Sequence, residues 1–190
     1  FFFFLFYNII IEKRDKMTVE EKKRELAEID KKIEKLMARK LELNPFAELK
    51  SMSNKQFGEQ WSESYIRGKC PNLIKSNGKG HDVITMNGEK WEIKSIRLPC
   101  KSTAFNQCHP FDCDKFLFVS YDCETGEVHL YLIPSNEIKE NLNYSAQHSY
   151  EKSKEEADCI MVPFSQANQR KLQEKYLISD FCILNNLAGV

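Results

Sequence analysis

Between Thr18 and Leu43 the apolar residues Leu26, Ile29, Ile33 and Leu36 recur at 3-4-3 spacing. That is the stripe of one helical face, and it predicts an amphipathic helix. Leu43 falls seven residues beyond Leu36, with Lys40 interrupting the stripe. Thr18-Val19-Glu20-Glu21 has the form of a capping box, in which the hydroxyl and the Glu each satisfy an orphan amide. Asn44-Pro45 ends the pattern. With barely three heptads, the stripe fits packing within the chain or a dimer contact better than a long coiled coil. A second amphipathic segment runs from about Ser53 to Arg67, with Phe57, Trp61, Tyr65 and Ile66 apolar, and Gly68-Lys69-Cys70-Pro71 closes it.

Strand patterns follow. Two short runs flank Asn87-Gly88, a strong hairpin signal. Lys115 to Tyr121 is an apolar run of buried-strand type, and Glu127 to Ile133 alternates Val128, Leu130 and Leu132 with His129 and Tyr131. Asp122 to Gly126 forms the turn between them. Pro134 opens a short helix, residues 141–158 read as an exposed polar loop, Ser165 to Tyr176 as a helix, and Phe181 to Leu187 as a closing apolar segment. No internal repeat is present. The order predicts a mixed α/β fold: one central mixed β-sheet flanked by helices, with an N-terminal helical extension.

Hydrophobic residues make up 42% of the 190, enough for a core, and 28 basic residues balance 28 acidic ones. A polycationic tail protein is excluded, though a local basic surface is not. Seven scattered cysteines read as reduced thiols of an intracellular protein. The apolar run Phe1 to Ile11 is too short to span a bilayer, which takes about 20 residues as a helix. It has neither a basic lead nor a small-residue cleavage site. The expectation is that translation starts at Met17 and that residues 1–16 are upstream reading frame, followed by a helix over 17–44 and one domain over 45–190.

The hairpin carries the candidate chemistry. A two-residue turn at Asn87-Gly88 would place Asp82 on the face opposite Glu92. A three-residue loop, Met86-Asn87-Gly88 with Gly88 left-handed, places Asp82 opposite Glu92. Glu92 and Lys94 share a face because side chains alternate along a strand. The expected register is therefore the second, with two carboxylates and a lysine together while Trp91 and Ile93 point into the core. Clustered carboxylates repel unless a cation joins them, and hard oxygen donors suit Mg²⁺, with Mn²⁺ as a substitute. Around them, Ser64 to Lys101 holds eight basic residues and three acidic ones. A basic zone around an acidic centre fits a polyanionic substrate.

An Asp at a strand start, a hairpin, and Glu-x-Lys in the next strand resemble the PD-(D/E)XK nuclease superfamily, and the small single-domain layout resembles its type II restriction endonucleases. Asp82 matches the motif's Asp, Glu92 its acidic residue and Lys94 its Lys, while His81 stands where the motif has Pro. Glu59 or Glu63 resembles the helical Glu that many members add to the metal site. The resemblance covers residues 55–122. It implies a restriction-endonuclease-like core and Mg²⁺-dependent hydrolysis of double-stranded DNA, leaving a 5′-phosphate and a 3′-hydroxyl. It also implies a homodimer for cutting a palindrome, a companion DNA methyltransferase, and a cytoplasmic setting in a bacterium or in the host cell of a DNA virus.

Lys79, His81, Arg97 and Lys101 are the expected DNA-backbone contacts. Ser102, Asn106 and Gln107, in a loop or helix with Thr103 and His109, are expected to read base edges. Two other functions stay open: a repair or junction-processing nuclease of the same fold, and a non-catalytic DNA-binding module, favoured if Asp82 and Glu92 fail to converge. Cys100, Cys108, His109, Cys113 and Cys123 match no familiar zinc spacing, so free thiols are the expectation.

Overall fold

The computed structural model describes residues 17–99, 103–147 and 156–190. The chain divides after Pro45 into two compact units. The first holds helix α1 (Val19–Leu43), entered through a capping box: Glu21 N–H donates to Thr18 Oγ1 at 3.2 Å, and Thr18 N–H to Glu21 Oε2 at 2.8 Å. No residue of α1 is buried, and Leu26, Ile29, Ile33 and Leu36 are between 44% and 69% exposed. Among the described residues no helix is long and apolar enough to cross a membrane.

The second unit is mixed α/β. A 3₁₀ turn, Ala47–Ser51, precedes a π-helical segment, Gln56–Ser62, that runs into α2 (Glu63–Lys69). Then come β1 (Ile74–Lys75), β2 (Val83–Ile84), β3 (Lys90–Leu98), β4 (Ala104–Cys108), β5 (Lys115–Asp122) and β6 (Val128–Pro134). The chain continues through α3 (Ser135–Asn141), β7 (Ser145–Ala146), β8 (Ile160–Pro163), α4 (Gln166–Lys175), β9 (Leu177–Ile178) and α5 (Phe181–Gly189).

Two sheets form where one was expected. The central sheet has the order β1-β2-β3-β5-β6-β9, and a second sheet has the order β4-β8-β7. β3 and β5 are parallel while the other pairs of the central sheet are antiparallel, so that sheet is mixed. The crossover that parallel neighbours require runs through β4. The segment expected as a loop or helix after β3 is therefore partly strand. Its alternation is hidden because Phe105 and Cys108 both turn inward across a register shift, with Gln107 at φ 53. In the stretch expected as loop, β7 pairs with β8; residues 148–155 lie outside the described residues. The closing apolar segment is helix α5, capped by Asp180 Oδ1, which accepts from Ile183 N–H at 2.8 Å.

β3 feeds both faces of the central sheet. Trp91 and Ile93 join Phe57, Ile66, Leu117, Val119 and Tyr121 in one core. Ile96 joins Phe105, Phe116, Phe118, Ile160 and Val162 in the other, beneath the second sheet. Each such side chain contributes about 1.5–3 kcal/mol by burial. The π-helical segment and α2 cover the Trp91 face. There Ser62 Oγ lies 2.5 Å from Ser95 Oγ and 3.0 Å from Tyr121 OH, and Trp61 stacks on Tyr65 with centroids 4.9 Å apart.

Arg97 lies on that same face. Its guanidinium donates to the carbonyls of Leu49 (2.7 Å) and Met52 (2.6 Å) and to Asn54 Oδ1 (2.6 Å), and sits 4.8 Å over the Phe57 ring. A residue expected to meet phosphate instead ties the 47–54 segment to the sheet. Arg97→Ala should lower stability by about 2–3 kcal/mol in urea unfolding. Arg97→Lys should recover little of it, because an ammonium cannot copy the planar fork. A loss below the resolution of the measurement would refute this structural role.

Candidate functional site

The hairpin between β2 and β3 sets the geometry. Thr85 N–H donates to Glu89 O at 2.9 Å, and Gly88 N–H to Thr85 O at 3.0 Å. Gly88 has φ 89, a conformation glycine adopts without steric cost. The resulting loop is Met86-Asn87-Gly88. Val83 faces Trp91 and Ile84 faces Lys90, a register that, carried one residue further, would set Asp82 opposite Glu92. The ladder frays there: Asp82 N–H donates to Trp91 O at 3.0 Å, one residue out of step. The side chain of Asp82 takes over, its Oδ2 accepting from Ile93 N–H at 2.6 Å.

Glu92 and Lys94 project from the opposite face to Trp91 and Ile93. Lys94 Nζ is 2.7 Å from Glu92 Oε1, with the side chains only 21% and 6% exposed. Glu92 Oε2 accepts from the His109 backbone amide at 3.3 Å. Burial pushes the Glu92 carboxyl above its usual range. The charge and hydrogen bond of Lys94 oppose that push, and the neighbouring Asp82 charge adds to it. Burial likewise works against the Lys94 ammonium, but the Glu92 charge and hydrogen bond, with smaller contributions from Cys108 and Asp82, hold it above its ordinary value. Lys94 is thus a cation at neutral pH.

The donor set is oxygen-rich. Asp82 and Glu92 supply carboxylates. Two carboxylates fit Mg²⁺, which keeps several waters and is commonly completed by substrate phosphate. Among the described residues no three His, Cys, Asp or Glu side chains converge as a ligand set. Cys108, Cys113 and Cys123 are buried free thiols.

Other expected residues are distributed differently. The helix bearing Glu63 packs through Ser62 onto Ser95, on the face of β3 away from Glu92 and Lys94. The Glu59 side chain, Cys100, Lys101 and Ser102 lie outside what is described. Lys79 is exposed, and His81 Nδ1 lies 3.1 Å from Lys79 O. Gly80, at φ 78, sits so close to Asp112 that a Cβ would collide with its side chain, which sets the lead-in to Asp82 against the segment after β4. Asn106 and Gln107 are exposed on β4 and bonded to Gln147, by its Nε2 to Asn106 Oδ1 (3.3 Å) and its Oε1 to Gln107 N–H (2.7 Å).

One contributor had no sequence signal. The His109 amide is a backbone group, so its side chain does not announce it. His109 had entered as a zinc or base-reading candidate, whereas its amide is what meets Glu92.

Lys94→Met should cost about 2–4 kcal/mol at neutral pH, because it strands a buried carboxylate. Glu92→Gln/Lys94→Met should cost less than the single variant. In Lys94→Met, Glu92 loses the group that opposes burial, so its folded pKa rises further above 4.5. The folded chain then holds a proton that the unfolded chain releases, and stability falls as pH rises from 4.5 upward. Equal losses for the single and double variants across that range would sink this account. No protein-family model matches the chain, and no curated protein matches it.

Proposed function

We propose that the second unit is a Mg²⁺-dependent endonuclease that hydrolyses phosphodiester bonds of double-stranded DNA, in the manner of a sequence-specific type II restriction enzyme. What carries this reading is the convergence of Asp82, Glu92 and Lys94, with the Lys94 ammonium 2.7 Å from Glu92 and the Asp82 carboxylate on the neighbouring amide.

Asp82 and Glu92 would hold the cation. When bound, Mg²⁺ acidifies a coordinated water and offsets charge on the phosphate. The Lys94 ammonium, paired with Glu92 at 2.7 Å, donates hydrogen bonds that orient the attacking water and stabilise negative charge as it builds on the pentacovalent phosphorus. Water oxygen bonds to phosphorus as its proton passes to solvent, the bond to the 3′-oxygen breaks, and the leaving oxygen takes up a proton from solvent, giving a 5′-phosphate and a 3′-hydroxyl. Lys79, His81, Asn106 and Gln107 are the candidate DNA contacts.

The test is digestion of unmethylated phage DNA with purified protein, with Mg²⁺ or with EDTA. Discrete fragments should appear only with Mg²⁺. Asp82→Asn, Glu92→Gln and Lys94→Ala should each slow cleavage by about a thousandfold while DNA binding without Mg²⁺ persists in a gel shift. A smear would indicate a junction-processing or unspecific nuclease. No cleavage with any divalent cation would leave the Glu92–Lys94 pair a structural ion pair and the unit a binding module.

A further inference from the structure

We propose that α1 is a self-association helix, pairing antiparallel with α1 of a second copy of the chain. Within the first unit nothing covers its apolar stripe: Val19, Leu26, Ile29, Ile33, Leu36 and Leu43 are all between 44% and 69% exposed. The spacing of these residues reads the same in both directions. Val19 and Leu43, Leu26 and Leu36, and Ile29 and Ile33 are each equidistant from Lys31. A two-fold interface requires that if residue i meets j, then j meets i. An antiparallel pair centred on Lys31 meets that requirement along all 25 residues of α1, a length of about 37 Å. Every apolar side chain of the stripe then faces an apolar one, in the alternating layers of a short coiled coil.

The polar positions select the same arrangement. Lys22 and Lys40, which interrupt the stripe, are also equidistant from Lys31. They share one layer near each end, where their long stems carry the ammonium groups out to water. On the flanks, Glu25 of each copy faces Arg39 of the other. Arg39 already holds Glu42 at 2.8 Å, but a guanidinium has five donors and can take a second carboxylate. At the axis Lys32 meets its own copy on one flank and Asp30 its own on the other. A parallel pair in register would set Glu25 against Asp30 twice and offer no opposite-charge flank pair. Charge therefore favours antiparallel.

The pairing stands on α1 alone and is independent of the chemistry at Glu92. Sedimentation equilibrium of the full chain should show a reversible dimer. Ile29→Glu/Ile33→Glu should raise its dissociation constant about a hundredfold or more by placing four charges in the two central layers, with circular dichroism showing the fold retained. Orientation is read by charge reversal. Glu25→Arg should weaken the dimer about fivefold, since two exposed pairs change sign, and Glu25→Arg/Arg39→Glu should restore it. A tighter Glu25→Arg dimer would mean a parallel pair and overturn the proposal. A chain that stays monomeric, or a dimer indifferent to Ile29→Glu/Ile33→Glu, would overturn it equally.

Discussion

The alternation of side chains along β3 is the constraint on which the second unit depends. Trp91, Ile93, Ser95 and Arg97 leave one face, and Glu92, Lys94 and Ile96 leave the other. The first set anchors the helical layer: Ser95 bonds Ser62, and Arg97 gathers the carbonyls of Leu49 and Met52. The second set places two ionised groups between the central sheet and the layer holding β4, where Ile96 and Phe105 are buried nearby. Slipping the register by one residue would exchange the sets, turning Arg97 to the face that now bears Glu92 and Trp91 away from its core. The site and the core are thus fixed by one decision about register.

That decision is made in the turn. The left-handed Gly88 closes a three-residue loop, and Trp91 Nε1 and Lys115 Nζ both converge on Glu89, at 3.0 and 2.7 Å. Pinned at the turn and again at β5, the hairpin brings Asp82 to the Glu92 end of β3, where its side chain accepts from the Ile93 amide. This part was legible from sequence because short hairpin loops have few geometries, and the phase of the acidic residues in the two flanking runs left only two outcomes to weigh. Helix α1 was legible for a similar reason, since its capping box is local.

What stayed hidden is nonlocal. An amphipathic pattern says which side of a helix is apolar but not which face of a sheet receives it, so Glu63 could be placed on its helix and not relative to Glu92. Strands of two residues, such as β1 and β9, carry no period to detect. β4 has one, but its register shift puts Asn106 and Gln107 together on the outside and erases the alternation. The excess of basic residues between Ser64 and Lys101 also overstated the free positive surface. The Lys94 ammonium is held by Glu92, and the Arg97 guanidinium by three oxygens of the 47–54 segment. Counting charge along a chain cannot show which charges the fold consumes.

The balance of charge around Glu92 bears on how the proposed reaction would be assembled. Asp82, Glu92 and Lys94 together carry one net negative charge in a setting whose burial already strains the Glu92 carboxylate. A divalent cation alone would convert that into one net positive charge, so in a half-buried place it exchanges one uncompensated charge for another. A phosphodiester brings the remaining negative charge and returns the site to neutrality. On the proposed reading, cation and DNA should therefore bind with positive coupling, each tightening the other. The ion pair to Lys94 then has a role in the resting protein as well: it opposes the burial that works against the Glu92 carboxylate, at the expense of a contact that the cation must share.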